Sequence, residues 1–433
     1  MSAIIISCVG ILVGIILIIL MSYYGHPPLM IALIAAVIMC VCSGTNIQEG
    51  LVTLYSSGFG NAMANMFVMF LGCMTFGYIM DKTGCAHAIA YAISDRIPAQ
   101  YGPSVVMLIA AILALGGLSA GGYLVVAPIG IIMFSKADYS KDILLGCIMG
   151  GMWTFTNMMP LSPSIQNGVI QSLLGTSTSA GLIPGMINGL IIFVIDIVYV
   201  TWQARRWRKQ GRRFDSWDEV PEDTSEFRKT LPSVWVSILP IIVVLIVYNV
   251  FHLVLATSLW VGVIVCTLLR WKKFSFKEWI TVWEKGCLNA LQPVVNLCTM
   301  SGIGAIISIT PFFASVIEWC STSSINPYLL CFIGANLLAF MCGSASGGLN
   351  TLIPAIRPLL DTYVARGYSL DNMARMMVAG CIGLDSMPNN GSLIAACDII
   401  GTTMKKSYKP VFVTCTAVPI IAGLISVPFC SIF

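Results

Sequence analysis

The sequence predicts an all-α polytopic membrane protein built as an inverted repeat. Each half holds five transmembrane helices and one re-entrant hairpin, about ten crossings and two hairpins in all, with two broken helices. Three observations predict this. Hydrophobic residues make up 57% of the 433 and charged residues only 10%, with a mean hydropathy of +0.88, a balance far outside the soluble range. Apolar runs long enough to cross about 30 Å of hydrocarbon recur along the chain. Finally, the runs interrupted by polar residues come in matched pairs, one member in each half.

In chain order, ordinary spans fall at 3–21, 27–43, 60–80, 181–201, 233–251, 253–269, 287–309 and 410–432. The first has no basic region before it and no small-residue cleavage site after it, so it reads as a helix that stays. Segments 104–134 and 326–356 are uncharged and too long for one upright helix. Each is either a steeply tilted helix or two short helices folded into a hairpin. The small residues at their centres favour the hairpin, because such a tip leaves backbone N–H groups free at membrane depth. Segments 142–175 and 372–402 are equally long and carry prolines and amides, as broken helices do.

The two halves align. "SAGGYLVVAPI" (119–129) falls on "ASGGLNTLIPA" (345–355) at an offset of 226, placing Gly121, Gly122 and Pro128 on Gly347, Gly348 and Pro354. Downstream, "TNMMPLSPS" (156–164) meets "LDSMPNNGS" (384–392), with Met159-Pro160 on Met387-Pro388. Five crossings per half invert the second repeat relative to the first. The first repeat is therefore 1–201, the linker 202–232 and the second repeat 233–433.

Charge gives an independent test. With both termini outside, all but three of the 23 Lys and Arg lie in inner loops; the exceptions are Arg357, Arg366 and Arg375. This satisfies the positive-inside rule and puts the basic linker in the cytoplasm. Topology accounts for that basic run, so no nucleic-acid partner is expected. The sixteen cysteines are scattered singly, without a CxxC pair and with only three histidines, so no metal site or other cofactor is expected. No HExxH and no nucleophile–base grouping is present, which argues against an enzyme.

The functional reading centres on the breaks. Pro388 and Gly391 unwind the second broken helix near the bilayer midplane, freeing carbonyls on one side and N–H groups on the other. Pro160, Pro163, Thr154 and Thr156 serve the first. Two hairpin tips and two breaks would then line one cavity with Ser119, Gly121, Gly122, Asn157, Ser162, Ser164, Ser344, Ser346, Gly347, Gly348, Asn350, Ser386, Asn389, Asn390 and Ser392. Such a lining suits a carboxylate and hydroxyls. Asp385, which aligns with Asn157, is the expected cation-coupling residue, because a carboxylate at midplane takes a proton or cation to offset its desolvation. The alternative is that it caps a half-helix. Asp196, Asp361 and Glu318 read as interfacial, and the segment around His87 as an interfacial amphipathic helix. Arg357 and Arg375 read as outer-side residues that either draw an anion to the mouth or snorkel to headgroups.

"GLDSMPNNGSLI" (383–394) followed by "KKSYK" (405–409) resembles a signature of the gluconate:proton symporter family of the ion transporter superfamily. "GSASGGLNTLIPA" (343–355) resembles the hydroxybutyrate-permease-like branch, and "GHPPLMIALIAAV" (25–37) is also similar. Membership implies an elevator-type transporter, in which hairpins and broken helices move against a dimeric scaffold in the bilayer and carry an organic anion with a cation, mostly H+, otherwise Na+. Where gluconate carriers have a Pro-Pro-Thr-Pro-Gly-Pro-like stretch, this chain has "MMPLSPSIQNG" (158–168), so the expected substrate is a small hydroxy- or other short carboxylate rather than gluconate itself.

Overall fold

The computed structural model describes residues 2–23, 28–118, 122–215, 225–322, 325–342, 344–387, 390, 393, 396–397 and 400–432. Ser119, Gly121, Asn389 and Ser392 of the expected site, together with Pro388 and Gly391, lie outside the described residues.

All regular structure among the described residues is helical. Hydrocarbon offers backbone groups no partner, so a spanning segment must pair them internally. Among the described residues, four helical stretches are long and apolar enough to cross a membrane: Glu49–Lys82, Leu182–Lys209, Phe276–Ser308 and Met404–Ile432. Others expected to span are shorter apolar helices, among them Val234–Asn249 and Leu255–Leu269.

Helices α1 (Ser2–Tyr23) and α2 (Pro28–Ser43) pack against each other, followed by α3 (Ser56–Lys82), which continues a π-helical turn at Glu49–Tyr55. Next comes α4 (Cys85–Ser94). It buries Cys85, Ala86, Ile89 and Tyr91 against α5 (Gly102–Leu115), α6 (Tyr123–Ala137) and α12 (Val234–Asn249). Its apolar residues meet a protein surface there, and burial follows from the same hydrophobic stripe that suggested a lipid contact.

Both long uncharged segments are antiparallel hairpins. In the first, Gly102 of α5 meets Met133 and Phe134, and Gly130 of α6 meets Val106. In the second, α17 (Pro327–Cys342) and α18 (Ala345–Ala365) run so close that a Cβ on Gly348 would stand 2.6 Å from the Ala339 backbone nitrogen. Only a glycine permits that approach. The second hairpin runs beyond 356 because α18 continues through Pro354, Arg357 and Pro358 to Ala365.

The first broken segment comprises α7 (Leu144–Met149), a π-helical turn at Gly150–Phe155, α8 (Thr156–Met158), an irregular stretch, and α9 (Ile165–Leu174). Helix α10 (Leu182–Lys209) follows and extends eight residues beyond the expected span, into the linker. Its last turns are rich in Arg and Lys, which form helices readily and favour the negative end of the helix dipole. A helix α11 (Ser225–Thr230) in the linker precedes α12 and α13 (Leu255–Leu269). Helices α14 (Phe276–Leu288) and α15 (Leu291–Ser308) together make the stretch Phe276–Ser308, so the segment between the expected spans 253–269 and 287–309 is partly helical. Ser275 starts α14 with a reciprocal capping box to Glu278. The chain then forms α16 (Pro311–Thr322), the second hairpin and α19 (Leu370–Leu384). It ends with a helix at Met404–Phe412, a π-helical turn at Val413–Ala417 and the last helix, Val418–Ile432.

The surface confirms the solvent for which the chain is built. On α10, Leu182, Ile183, Met186, Leu190, Val194 and Val198 are exposed, while Asn188, Asp196 and Gln203 are buried. A soluble helix does the reverse; polar residues inside and apolar ones outside mark a helix that faces lipid. At one end of the molecule, Arg212 pairs with Asp142 at 3.0 Å, Arg213 with Asp138 at 3.0 Å and Arg228 with Asp95 at 2.8 Å. Thr402 Oγ1 donates to Asp142 Oδ1 at 2.7 Å, bringing the end of the second broken segment to the same place. Such partly exposed pairs contribute at most about 1 kcal/mol each, so they gather the loops and do not hold the bundle. Cohesion comes from a large apolar core running through both hairpins and both broken segments, and from a smaller one where α1 and α2 meet the end of α15.

Candidate functional site at two helix breaks

The first break begins where Pro160 forbids continuation of α8. Met159 turns extended (φ −66°, ψ 124°) and Leu161 takes a left-handed conformation (φ 64°). Ser164 restarts the helix, its Oγ accepting the Asn167 N–H at 3.3 Å. Asn167 then reaches back across the gap, its Nδ2 donating to Met159 O and to Ser162 O, both at 3.1 Å. Before the break, Thr156 donates to Gly151 O at 2.7 Å and Thr154 to Gly150 O, across the π-helical turn. Asn157 Oδ1 and Ser162 Oγ are buried with no hydrogen-bond partner.

The second break begins at Asp385, the C-cap of α19. Asn390 Nδ2 donates to Asp385 O at 2.9 Å, Ser386 Oγ donates to Asp385 Oδ1 at 2.9 Å, and the Ala345 backbone N–H at the start of α18 also lies against the Asp385 carboxyl. The broken helix and the tip of the second hairpin thus meet at this side chain, as expected. Asp385 is buried, its described partners are a hydroxyl and a backbone amide, and no basic group pairs with it among the described residues. At the tip, Ser344 caps α18 by accepting the Gly347 N–H at 3.3 Å, its hydroxyl is 3.3 Å from that of Ser346, and Asn350 Nδ2 donates to Ser346 O at 2.9 Å. Gly347, Gly348 and Ser346 are buried, whereas Ser344 and Asn350 are half-buried. Of the first tip, Gly122 is described: it is buried, and a Cβ there would meet Met152 Cε at 2.6 Å and Leu118 O at 2.7 Å.

Two expectations are corrected. Arg375 is not at a mouth. It is 3% exposed, its Nη2 and Nε donate to Ala180 O at 2.8 and 3.1 Å, and its Nη1 donates to Met158 O at 3.2 Å and to Asn167 Oδ1 at 3.1 Å. An arginine of the second broken segment therefore ties together the carbonyls left free at the first break, a role that the planar guanidinium fork suits better than an ammonium. The available signal was "RMMVAGCIGL" (375–384): from Arg375 onward α19 is wholly apolar, with polar neighbours only one turn earlier at Asp371 and Asn372. Asp196 is not interfacial either: it is fully buried in α10. It had a signal too, an acid in the middle of "LIIFVIDIVYV". Asp361 and Glu318 are exposed, and Arg357 is partly exposed, its Nε donating to Asp361 Oδ1 at 3.2 Å.

Because Asn167 serves Arg375, Met159 O and Ser162 O at once, Asn167→Ala is expected to lower stability by about 2 kcal/mol or more, at about 1 kcal/mol per buried hydrogen bond. A thermal midpoint unchanged in purified protein would show that the break holds its shape without this residue.

The model of the GntP family permease matches residues 4–265. An uncharacterized transporter of Bacillus subtilis, YxjC, is 24% identical over 90% of this chain and 92% of its own length. An uncharacterized permease of Haemophilus influenzae is 22% identical over 76% of this chain and 72% of its own. Among solved structures, Neisseria gonorrhoeae MtrF, described with a class of antimetabolite efflux pumps, superposes with a TM-score of 0.52 at 12% identity, covering 98% of this chain and 94% of that one. At that identity the likeness is one of fold. The relatives are permeases and transporters, not enzymes. The chain is a multi-pass membrane transporter and belongs to the GntP permease family.

Proposed function

We propose that this permease is a secondary active symporter that brings a small organic anion into the cell together with protons. The substrate class is a short hydroxy- or monocarboxylate, of the kind of 3-hydroxybutyrate in preference to gluconate itself. The observation that carries this reading is Asp385, a buried carboxyl at a helix break, touching the tip of a hairpin and paired with no basic residue among the described ones. An acid in that setting is stable when it holds a proton or a cation and costly when it does not. Because the hairpin tip leans on it, its state of charge bears on whether the tip is closed over a bound solute. Ser344, Asn350 and Asn390 supply neutral polar groups nearby, suited to a carboxylate and hydroxyls.

The transport cycle in this reading is an elevator. The two repeats, 1–201 and 233–433, are inverted relative to each other, and the hairpins and broken segments form the moving body. The small separate core of α1, α2 and the end of α15 supports a part that stays fixed while the larger core moves. The fixed parts of two copies form a homodimer, both termini lie outside, and the basic linker is cytoplasmic in the cell membrane, as the distribution of Lys and Arg favours.

The test is uptake of a panel of labelled short carboxylates into proteoliposomes, under an inward proton gradient and, separately, under a sodium gradient. Saturable uptake driven by protons supports the reading. Uptake driven only by sodium replaces the proton with Na+ and points toward di- or tricarboxylates. Flux that does not saturate and ignores both gradients makes the protein a channel.

A further inference from the structure

Asp196 is the most isolated acid among the described residues. It is 0% exposed, and both carboxyl oxygens are buried with no hydrogen-bond partner. It sits in the interior half of α10, whose opposite side faces lipid through Val194 and Val198. Helix α5, α8, the turn at Gly150–Phe155 and the last helix bring no basic residue. Helix α7 brings Cys147, the turn at Val413–Ala417 brings Cys415, and α10 itself brings Tyr199. Arg375 of α19 meets α10 at Gly181 and Gly185, roughly 16 Å away along the helix axis at 1.5 Å per residue. Asp142 and Lys141 lie at the loop end, where Asp142 is paired with Arg212. A bare carboxylate with no donor and no cation is far costlier in such surroundings than a carboxyl that holds a proton.

The position of Asp196 links it to the site already described. A Cβ on Gly150 would stand 3.5 Å from Asp196 Oδ2 and 3.2 Å from Thr414 Cβ, so α10 and the turn at Val413–Ala417 are separated there by a glycine alone. In that turn the Thr414 hydroxyl lies 3.4 Å from Cys415 Sγ, which is also approached by the Ser386 hydroxyl, itself bonded to Asp385. Cys415 lies within electrostatic reach of both Asp196 and Asp385. Both buried acids are thus neighbours of the Val413–Ala417 turn, a π-helical form frequent at functional sites.

We propose that Asp196 is a second proton-binding site of this permease, electrostatically coupled to Asp385 across the Val413–Ala417 turn. The proposal extends the proton-coupled reading above, on which its role in transport rests, but proton binding itself is tested without any substrate. The experiment is infrared difference spectroscopy of the reconstituted full chain in deuterated buffer, titrated from acid to alkaline pH, for the parent, Asp196→Asn, Asp385→Asn, the double variant and Asp196→Glu. The expected result is two protonated-carboxyl carbonyl bands in the parent that persist above the pH range in which exposed carboxyls ionise, loss of one in each single Asn variant, and loss of both in the double. Asp196→Glu retains the band at a shifted frequency, which keeps the assignment testable should the Asn variant fold poorly. In the parent the pair titrates over a broadened, two-step range, and in either single variant the remaining acid follows a one-step curve. A parent spectrum unchanged by both Asp196 substitutions overturns the site, and single-step curves in the parent overturn the coupling. If Asp196→Asn loses its band while Asp385→Asn changes nothing, the second site stands and the assignment of Asp385 fails.

Discussion

Asp385→Asn is expected to abolish gradient-driven accumulation of substrate while leaving the protein folded. The amide oxygen still accepts from Ser386 Oγ and from the Ala345 N–H, so the contact between the second break and the hairpin tip survives. Only the titration is lost. Coupling free energies between an ion site and a ligand site run at about 1–3 kcal/mol, or roughly 5–150-fold in affinity, and that is the range by which accumulation ratios fall when the ion no longer registers at the substrate site. Counterflow exchange of labelled for unlabelled substrate across the same vesicles, which needs no net ion movement, is expected to persist. Driven accumulation equal to that of the parent would remove Asp385 from the coupling step.

Arg375→Met is expected to be among the most destabilising single substitutions in the molecule. Methionine fills much of the space but donates nothing to Ala180 O, Met158 O or Asn167 Oδ1. Three acceptors left unsatisfied at about 1–3 kcal/mol each amount to roughly 3–9 kcal/mol, against which stands the relief of no longer burying an arginine whose partners here are neutral. The acceptors prevail because Met158 O lies at the end of a helix where no backbone donor follows. Arg375→Lys is expected to fall in between, since one ammonium has no planar fork with which to reach both Ala180 and the Met158–Asn167 pair. The measurement is the thermal midpoint of purified protein together with the fraction recovered as a monodisperse peak. A midpoint equal to that of the parent for Arg375→Met would show that the tie between the two broken segments is dispensable.

The polar interruptions were legible because the bilayer makes them expensive and therefore visible. Pro160 and Pro388 on the aligned halves, the glycines of the second hairpin and Asp385 all stand out against apolar runs. The reading failed where a charge's environment depended on residues distant in sequence. Arg375 and Asp196 were placed near water because each lies within reach of a helix end along its own segment. In the fold, Arg375 is enclosed by residues 158–181 and Asp196 by residues 147–150 and 414–415. The three π-helical turns, at Glu49–Tyr55, Gly150–Phe155 and Val413–Ala417, had no signal in the sequence, because a π turn uses the same residues as an α turn and differs only in which carbonyl each N–H finds.

By itself, the sequence determined the solvent, the helical class, the two hairpins and the places where the helices break. These follow from local terms: apolar length against bilayer thickness, proline's missing donor and glycine's tolerance of close approach. Tertiary structure alone decided which broken segment braces which, that Asp385 meets the tip at Ala345, and that Asp196 is sealed beside the Val413–Ala417 turn. The physical reason is that burial and pairing of a charge are properties of everything around it, and nearly all of that arrives from elsewhere in the chain.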